Sequence, residues 1–87
     1  MDSYNNIQYG DGWYSDTKGT LHMTWDFKYL INGFEVHIYV EGTEQDAVDY
    51  LESEYGYMSG ITGGWYHALT ANEIKLVKQL GYPIYLA

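Results

Sequence analysis

Leu21, Met23, Trp25, Phe27, Tyr29 and Ile31 alternate with His22, Thr24, Asp26, Lys28 and Leu30. A period of two marks a strand with one buried face. Asn32-Gly33 follows and supplies the two positive-φ residues of a type I′ turn. Phe34, Val36, Ile38 and Val40 then alternate with Glu35, His37, Tyr39 and Glu41. The pattern predicts a β-hairpin with strands over about 21–31 and 34–41. A two-residue loop pairs Ile31 with Phe34, Tyr29 with Val36, Phe27 with Ile38 and Trp25 with Val40, so every pair on one face is apolar. A slip of one residue would turn one apolar face to water, which fixes the register. The other face pairs Lys28 with His37, Asp26 with Tyr39 and Thr24 with Glu41.

Beyond the hairpin the period changes. Ala47, Val48, Leu51 and Tyr55 share one face of a helix, with Asp46, Asp49 and Glu52 on the other. Thr43 is a good N-cap with Asp46 three residues on, and Gly56 a plausible terminator, giving a helix over about 44–55. A second helix over about 71–80 opens on the capping box Thr70-Ala71-Asn72-Glu73. It carries the apolar stripe Ile74, Val77 and Leu80, places Lys75 and Lys78 towards the dipole's negative end, and closes at Gly81 and Pro83.

The remaining segments are weaker signals. Ile7-Gln8-Tyr9 and Trp13-Tyr14 flank the turn signal Gly10-Asp11-Gly12 and suggest a short ribbon. Residues 56–69, with glycines at 56, 60, 63 and 64, read mostly as loop with a short strand near Trp65. Ile84-Tyr85-Leu86 reads as a last edge strand, with Pro83 tolerated at its start. Strands first and helices after predict an α+β fold, a mostly antiparallel sheet with both helices packed on one face.

At 87 residues the chain is expected to form one domain, 1–87, and its 18% aromatic content argues against disorder. It has no cysteine, which removes disulfides, thiolate nucleophiles and cysteine zinc sites. With no basic start or apolar run at the N-terminus, a cytoplasmic protein is expected. No apolar stretch approaches the roughly 18–20 residues that cross a bilayer.

Candidate chemistry is sparse. His22 and His37 lie on the order of 20 Å apart along the hairpin, too far to share a metal, and His67 has no recognised ligand spacing with either. Asp46, Asp49 and Glu52 share a solvent-facing helix side, and Asp26 and Glu41 the hairpin's outer face, where nothing shifts a carboxyl towards acid–base work. No G-x-S-x-G elbow, Walker sequence or Rossmann turn is present. The expectation is a non-enzyme without cofactor or metal.

Charge and aromatic rings point elsewhere. Twelve acids against four lysines and no arginine give a net charge of −8, which repels nucleic acid and anionic membranes and favours a basic protein surface. No Lys or Arg lies between Tyr29 and Ile74, where eight acids do: Glu35, Glu41, Glu44, Asp46, Asp49, Glu52, Glu54 and Glu73. Such carboxylates suit arginine and lysine sites that otherwise hold phosphates, although a soluble surface needs acids too. Glu35, Glu41, Asp46, Asp49 and Glu52 form the candidate charged rim, and Trp65 and Tyr66 the candidate anchors. A carbohydrate or small-ligand module stacking on Trp13, Tyr14, Trp65 and Tyr66 is a second reading. An assembly subunit pairing through an edge strand is a third, and the chain is expected to be a monomer or homodimer.

In size, acidity and absence of motif the chain resembles the small inhibitors that phages and mobile elements deploy against CRISPR nucleases and restriction enzymes. That resemblance rests on no shared motif, so no residue role follows from it. It implies a stoichiometric inhibitor of a nucleic-acid-processing complex, in many cases one that imitates DNA.

Overall fold

The computed structural model describes residues 7–9, 12–55 and 61–87. The order is β1 (Ile7–Tyr9), β2 (Trp13–Ser15), β3 (Leu21–Ile31), β4 (Phe34–Gly42), α1 (Glu44–Tyr55), β5 (Ile61–Ala68), α2 (Ala71–Gln79) and β6 (Ile84–Leu86). The fold is α+β, as expected.

The hairpin of β3 and β4 has the register that its apolar pairs require, from Ile31 opposite Phe34 to Thr24 opposite Glu41. Asn32 and Gly33 take φ values of 51° and 83°, the left-handed pair of a type I′ turn. The other edge of β3 is shared. β2 pairs antiparallel with Leu21 and His22, and β5 pairs antiparallel from Trp25 to Ile31. The register between β3 and β5 shifts beside Leu30, where Thr62 is the extra residue. On the far edge of β4, β6 runs parallel opposite Tyr39, Val40 and Glu41, so the sheet is mixed rather than antiparallel throughout.

The segment read mostly as loop is largely strand: β5 covers eight residues, and Trp65 and Tyr66 lie within it. Gly63 and Gly64 have little strand propensity of their own. Pairing to β3 orders them, and the ring of Tyr29 fills the place of the missing side chain at Gly64. The turn residues Gly10 and Asp11, the terminator Gly56 and the rest of 56–60 lie outside the described residues.

The two helices occupy opposite faces, not one. Ala47 and Leu51 of α1 pack on Phe27, Ile38 and Val40, which share the apolar face of the hairpin. Ile74 and Val77 of α2 pack with Leu69, Tyr39 and Ile84, and Tyr39 alternates with Ile38 and Val40. The hairpin's second face is therefore partly roofed. This roof explains why Thr24 and Asp26, expected at an outer surface, are buried. Gly12 lies against the start of α2: its φ of 86° favours glycine, and a Cβ there would crowd Ala71 N at 3.1 Å and Leu69 O at 3.2 Å as well as Ile74 Cδ1.

Both helix starts follow the sequence. The Asp46 amide donates to Thr43 Oγ1, and in α2 Thr70 and Glu73 exchange both bonds of a capping box. α2 ends in a Schellman motif, with Tyr82 N donating to Val77 O, Gly81 N to Lys78 O, and Gly81 at φ 81°.

Candidate functional site

A helix with side chains is about 10 Å wide, and strands lie about 4.8 Å apart, so one helix covers about two strands. α1 lies over β3 and β4. The same face of β5 extends past the helix and stays bare. The result is a groove of about 670 Å³ with Phe27 and Tyr29 as floor, Val48, Leu51 and Glu52 of α1 on one side and Thr62–Tyr66 on the other. Its volume falls within the range of about 300–1,000 Å³ usual for binding sites.

Tyr66 ties one part of this groove. Its hydroxyl donates to Glu44 Oε2 at 2.7 Å, linking β5 to the first turn of α1. That bond, with burial adding to it, pushes the phenol's pKa up. Its ring lies 4.9 Å from Phe27 and meets Trp25 edge-on at 5.7 Å. The Tyr29 hydroxyl is also pushed up, first by burial and then by the negative charge of Glu52, the carboxylate that lines the groove.

Trp65 belongs to the other face, because neighbours in a strand point opposite ways. Lys28 Nζ sits 4.7 Å from the centroid of its indole ring, a cation–π contact. The expected anchors Trp65 and Tyr66 thus present their rings to two different faces, at 48% and 41% exposure. Trp13 and Tyr14 lie in β2, which pairs with β3 only at Leu21 and His22, while Trp65 and Tyr66 lie opposite Lys28 and Phe27. The structure does not gather these four rings into one platform.

The candidate rim also divides. Glu44, Asp46, Asp49, Glu52 and Glu54 are all exposed along α1, which contains no Lys or Arg. Among the described residues, no ion pair reaches α1; the pairs present join His22 to Asp16, Lys28 to Glu35, and His37 to Asp26 and Glu35. Asp49 accepts from Gln45. Glu41 and Asp46 line one small hollow beside Gly42. Glu35 stands apart, beyond the hairpin turn, bonded to His37. α1 with Glu41 is therefore the continuous acidic surface, and Glu35 belongs to a separate cluster.

Tyr14 stacks on His22 at 4.9 Å, and its hydroxyl lies 3.4 Å from Glu41. Among the described residues no group of three or more His, Cys, Asp or Glu has the arrangement to hold a metal ion, and no helix is long and apolar enough to cross a membrane. The groove was the feature sequence reasoning missed. Its signal was the run Gly63-Gly64-Trp65-Tyr66, two absent side chains beside two large rings.

No protein-family model, curated protein or solved structure matches the chain.

Proposed function

We propose that the protein is a non-catalytic inhibitor that docks on a basic, nucleic-acid-binding surface, of the kind a CRISPR or restriction nuclease presents. The observation that carries this reading is the unpaired acidic exterior of α1. Its 12 residues span about 18 Å, at about 1.5 Å per residue. Five carboxylates over that length give about one negative charge per 3.6 Å, against about 3.4 Å along one strand of duplex DNA. Lysines and arginines placed to neutralise a phosphate backbone would meet a similar linear charge density on this helix. Among the described residues no ion pair engages these acids, so their charge is available to a partner.

The test is retention of partners from host extract by immobilised protein, at low and high salt, followed by competition with duplex DNA. A nucleic-acid-binding enzyme held at low salt and displaced by DNA supports the reading. Asp46→Lys, Asp49→Lys and Glu52→Lys together should abolish retention while leaving the circular dichroism spectrum unchanged. Retention that survives this triple reversal overturns the role of α1.

A second reading has one observation in its favour. The largely apolar groove beside α1 is of ligand size, so a small apolar ligand that raises the melting temperature would support a binding module instead.

A further inference from the structure

We propose that the groove between α1 and β5 receives an arginine of the partner protein, carried on an extended segment that pairs with the free edge of β5. This deepens the inhibitor reading and rests on its basic partner. Three observations converge on it.

First, β5 pairs with β3 along one edge, and among the described residues no strand pairs with the other. The N–H and C=O groups that this eight-residue strand turns to that edge, unpaired among the described residues, are a template for an added strand. In a strand added there, alternate side chains would fall over the groove face and the rest over the Trp65 face.

Second, the groove has the chemistry of a cation site. Its floor is the rings of Phe27 and Tyr29, Tyr66 forms part of one wall, and Glu52 lines the helix side. Aromatic faces attract cations, and a carboxylate beside them pairs with one. Of the two basic side chains, arginine suits this better. Its flat guanidinium stacks on rings and binds a carboxylate through two parallel hydrogen bonds, while its stem covers apolar surface. The molecule already contains one such pairing on the opposite face of the same strand, where Lys28 lies over Trp65.

Third, no lysine or arginine of this chain is among the groove's lining residues, so Glu52 has no internal cation to displace there. Among the described residues, no ion pair involves Glu52.

The probe is the peptide acetyl-Thr-Val-Arg-Val-Thr-amide, titrated into the full-length, nitrogen-15-labelled protein and followed by NMR. The expected result is shifts and slowed hydrogen exchange at β5 amides. Replacing the arginine by its neutral isostere citrulline should weaken binding about tenfold, the equivalent of about 1.4 kcal/mol. Glu52→Gln should do the same, and Val48→Trp should block the groove. Lys75→Gln, at an exposed position of α2 away from the groove, should change affinity less than about threefold. Shifts confined to α1 and sensitive to Asp46 and Asp49 but not Glu52 would overturn the groove site and leave the acidic-helix reading standing. No binding, or equal binding of the citrulline peptide, would also overturn it, while the retention experiment judges the inhibitor reading separately.

Discussion

His37 is held by both ring nitrogens. Nδ1 lies 2.8 Å from Asp26 Oδ1, and Nε2 lies 2.8 Å from Glu35 Oε2. A neutral imidazole can donate from only one nitrogen, so two carboxylates at hydrogen-bond distance favour the doubly protonated ring. Burial opposes that charge, but the bonds His37 donates to Glu35 and Asp26, with their negative charge, outweigh it, and the His37 pKa rises above its ordinary value of 6.5. The bond from His37, reinforced by Lys28 at 3.7 Å, lowers Glu35 below its ordinary 4.5. The signs follow by linkage. The His37 contribution to stability is complete below pH 6.5 and is lost as pH rises through the raised folded value. The Glu35 contribution is complete above pH 4.5 and is lost as pH falls through the lowered value. The melting temperature should therefore be highest between these two limits and fall as pH rises through the raised His37 value. In His37→Gln the alkaline fall should flatten. An unchanged fall in that variant would mean that the clamp does not contribute.

Two glycines permit a second experiment at this scale. Gly12 and Gly19 have nearly the same positive φ, 86° and 81°. A Cβ at Gly19 meets nothing within 4 Å, whereas at Gly12 it meets Ile74 at 2.6 Å and the backbone of Ala71 at 3.1 Å. Gly19→Ala should cost only the left-handed backbone term, about 1–2 kcal/mol. Gly12→Ala adds overpacking and should cost about 2–4 kcal/mol. Equal melting temperatures for the two variants would show that the start of α2 gives way easily.

At the scale of elements, legibility followed how local the determinant was. The hairpin register was readable because nine consecutive pairs and an Asn-Gly turn agree on it. α2 was readable from its capping box and Gly81, whose bonds close within three to five residues. Thr70→Ala should lower stability by about 1 kcal/mol, read as a shift in urea midpoint with an unchanged slope. β5 was readable only as a short strand near Trp65; its full length was not, because Gly63 and Gly64 become strand only through partners more than 30 positions earlier in the chain. The sheet face that α2 covers was equally hidden. Of its apolar stripe, Ile74 and Val77 turn inward against Leu69 and Tyr39 as the spacing predicts, while Leu80 stays exposed. The groove inherits both omissions, since it exists where β5 extends beyond α1. The acids of α1, by contrast, were visible as a run without a base, and the structure separates only Glu35 from them.

For the whole molecule, one quantity should act in two opposite directions. The net charge is −8, and five of the acids stand on a single helix without an ion pair among the described residues. Like charges crowded on a folded surface repel, and the unfolded chain relieves that repulsion by spreading them. Salt shortens the reach of each charge, from about 10 Å at 0.1 M to about 3 Å at 1 M. The free protein should therefore melt at a higher temperature in 0.5 M than in 0.05 M sodium chloride. Its complex with a basic partner should weaken over the same range, because there the screened interaction is attractive. Asp46→Asn with Asp49→Asn separates the two effects. It removes repulsion from the free fold, so the salt-induced rise in melting temperature should shrink. It also removes charges the partner would meet, so the salt dependence of binding should become shallower. A pair of substitutions that flattened the first slope and left the second untouched would place the partner's basic surface away from α1.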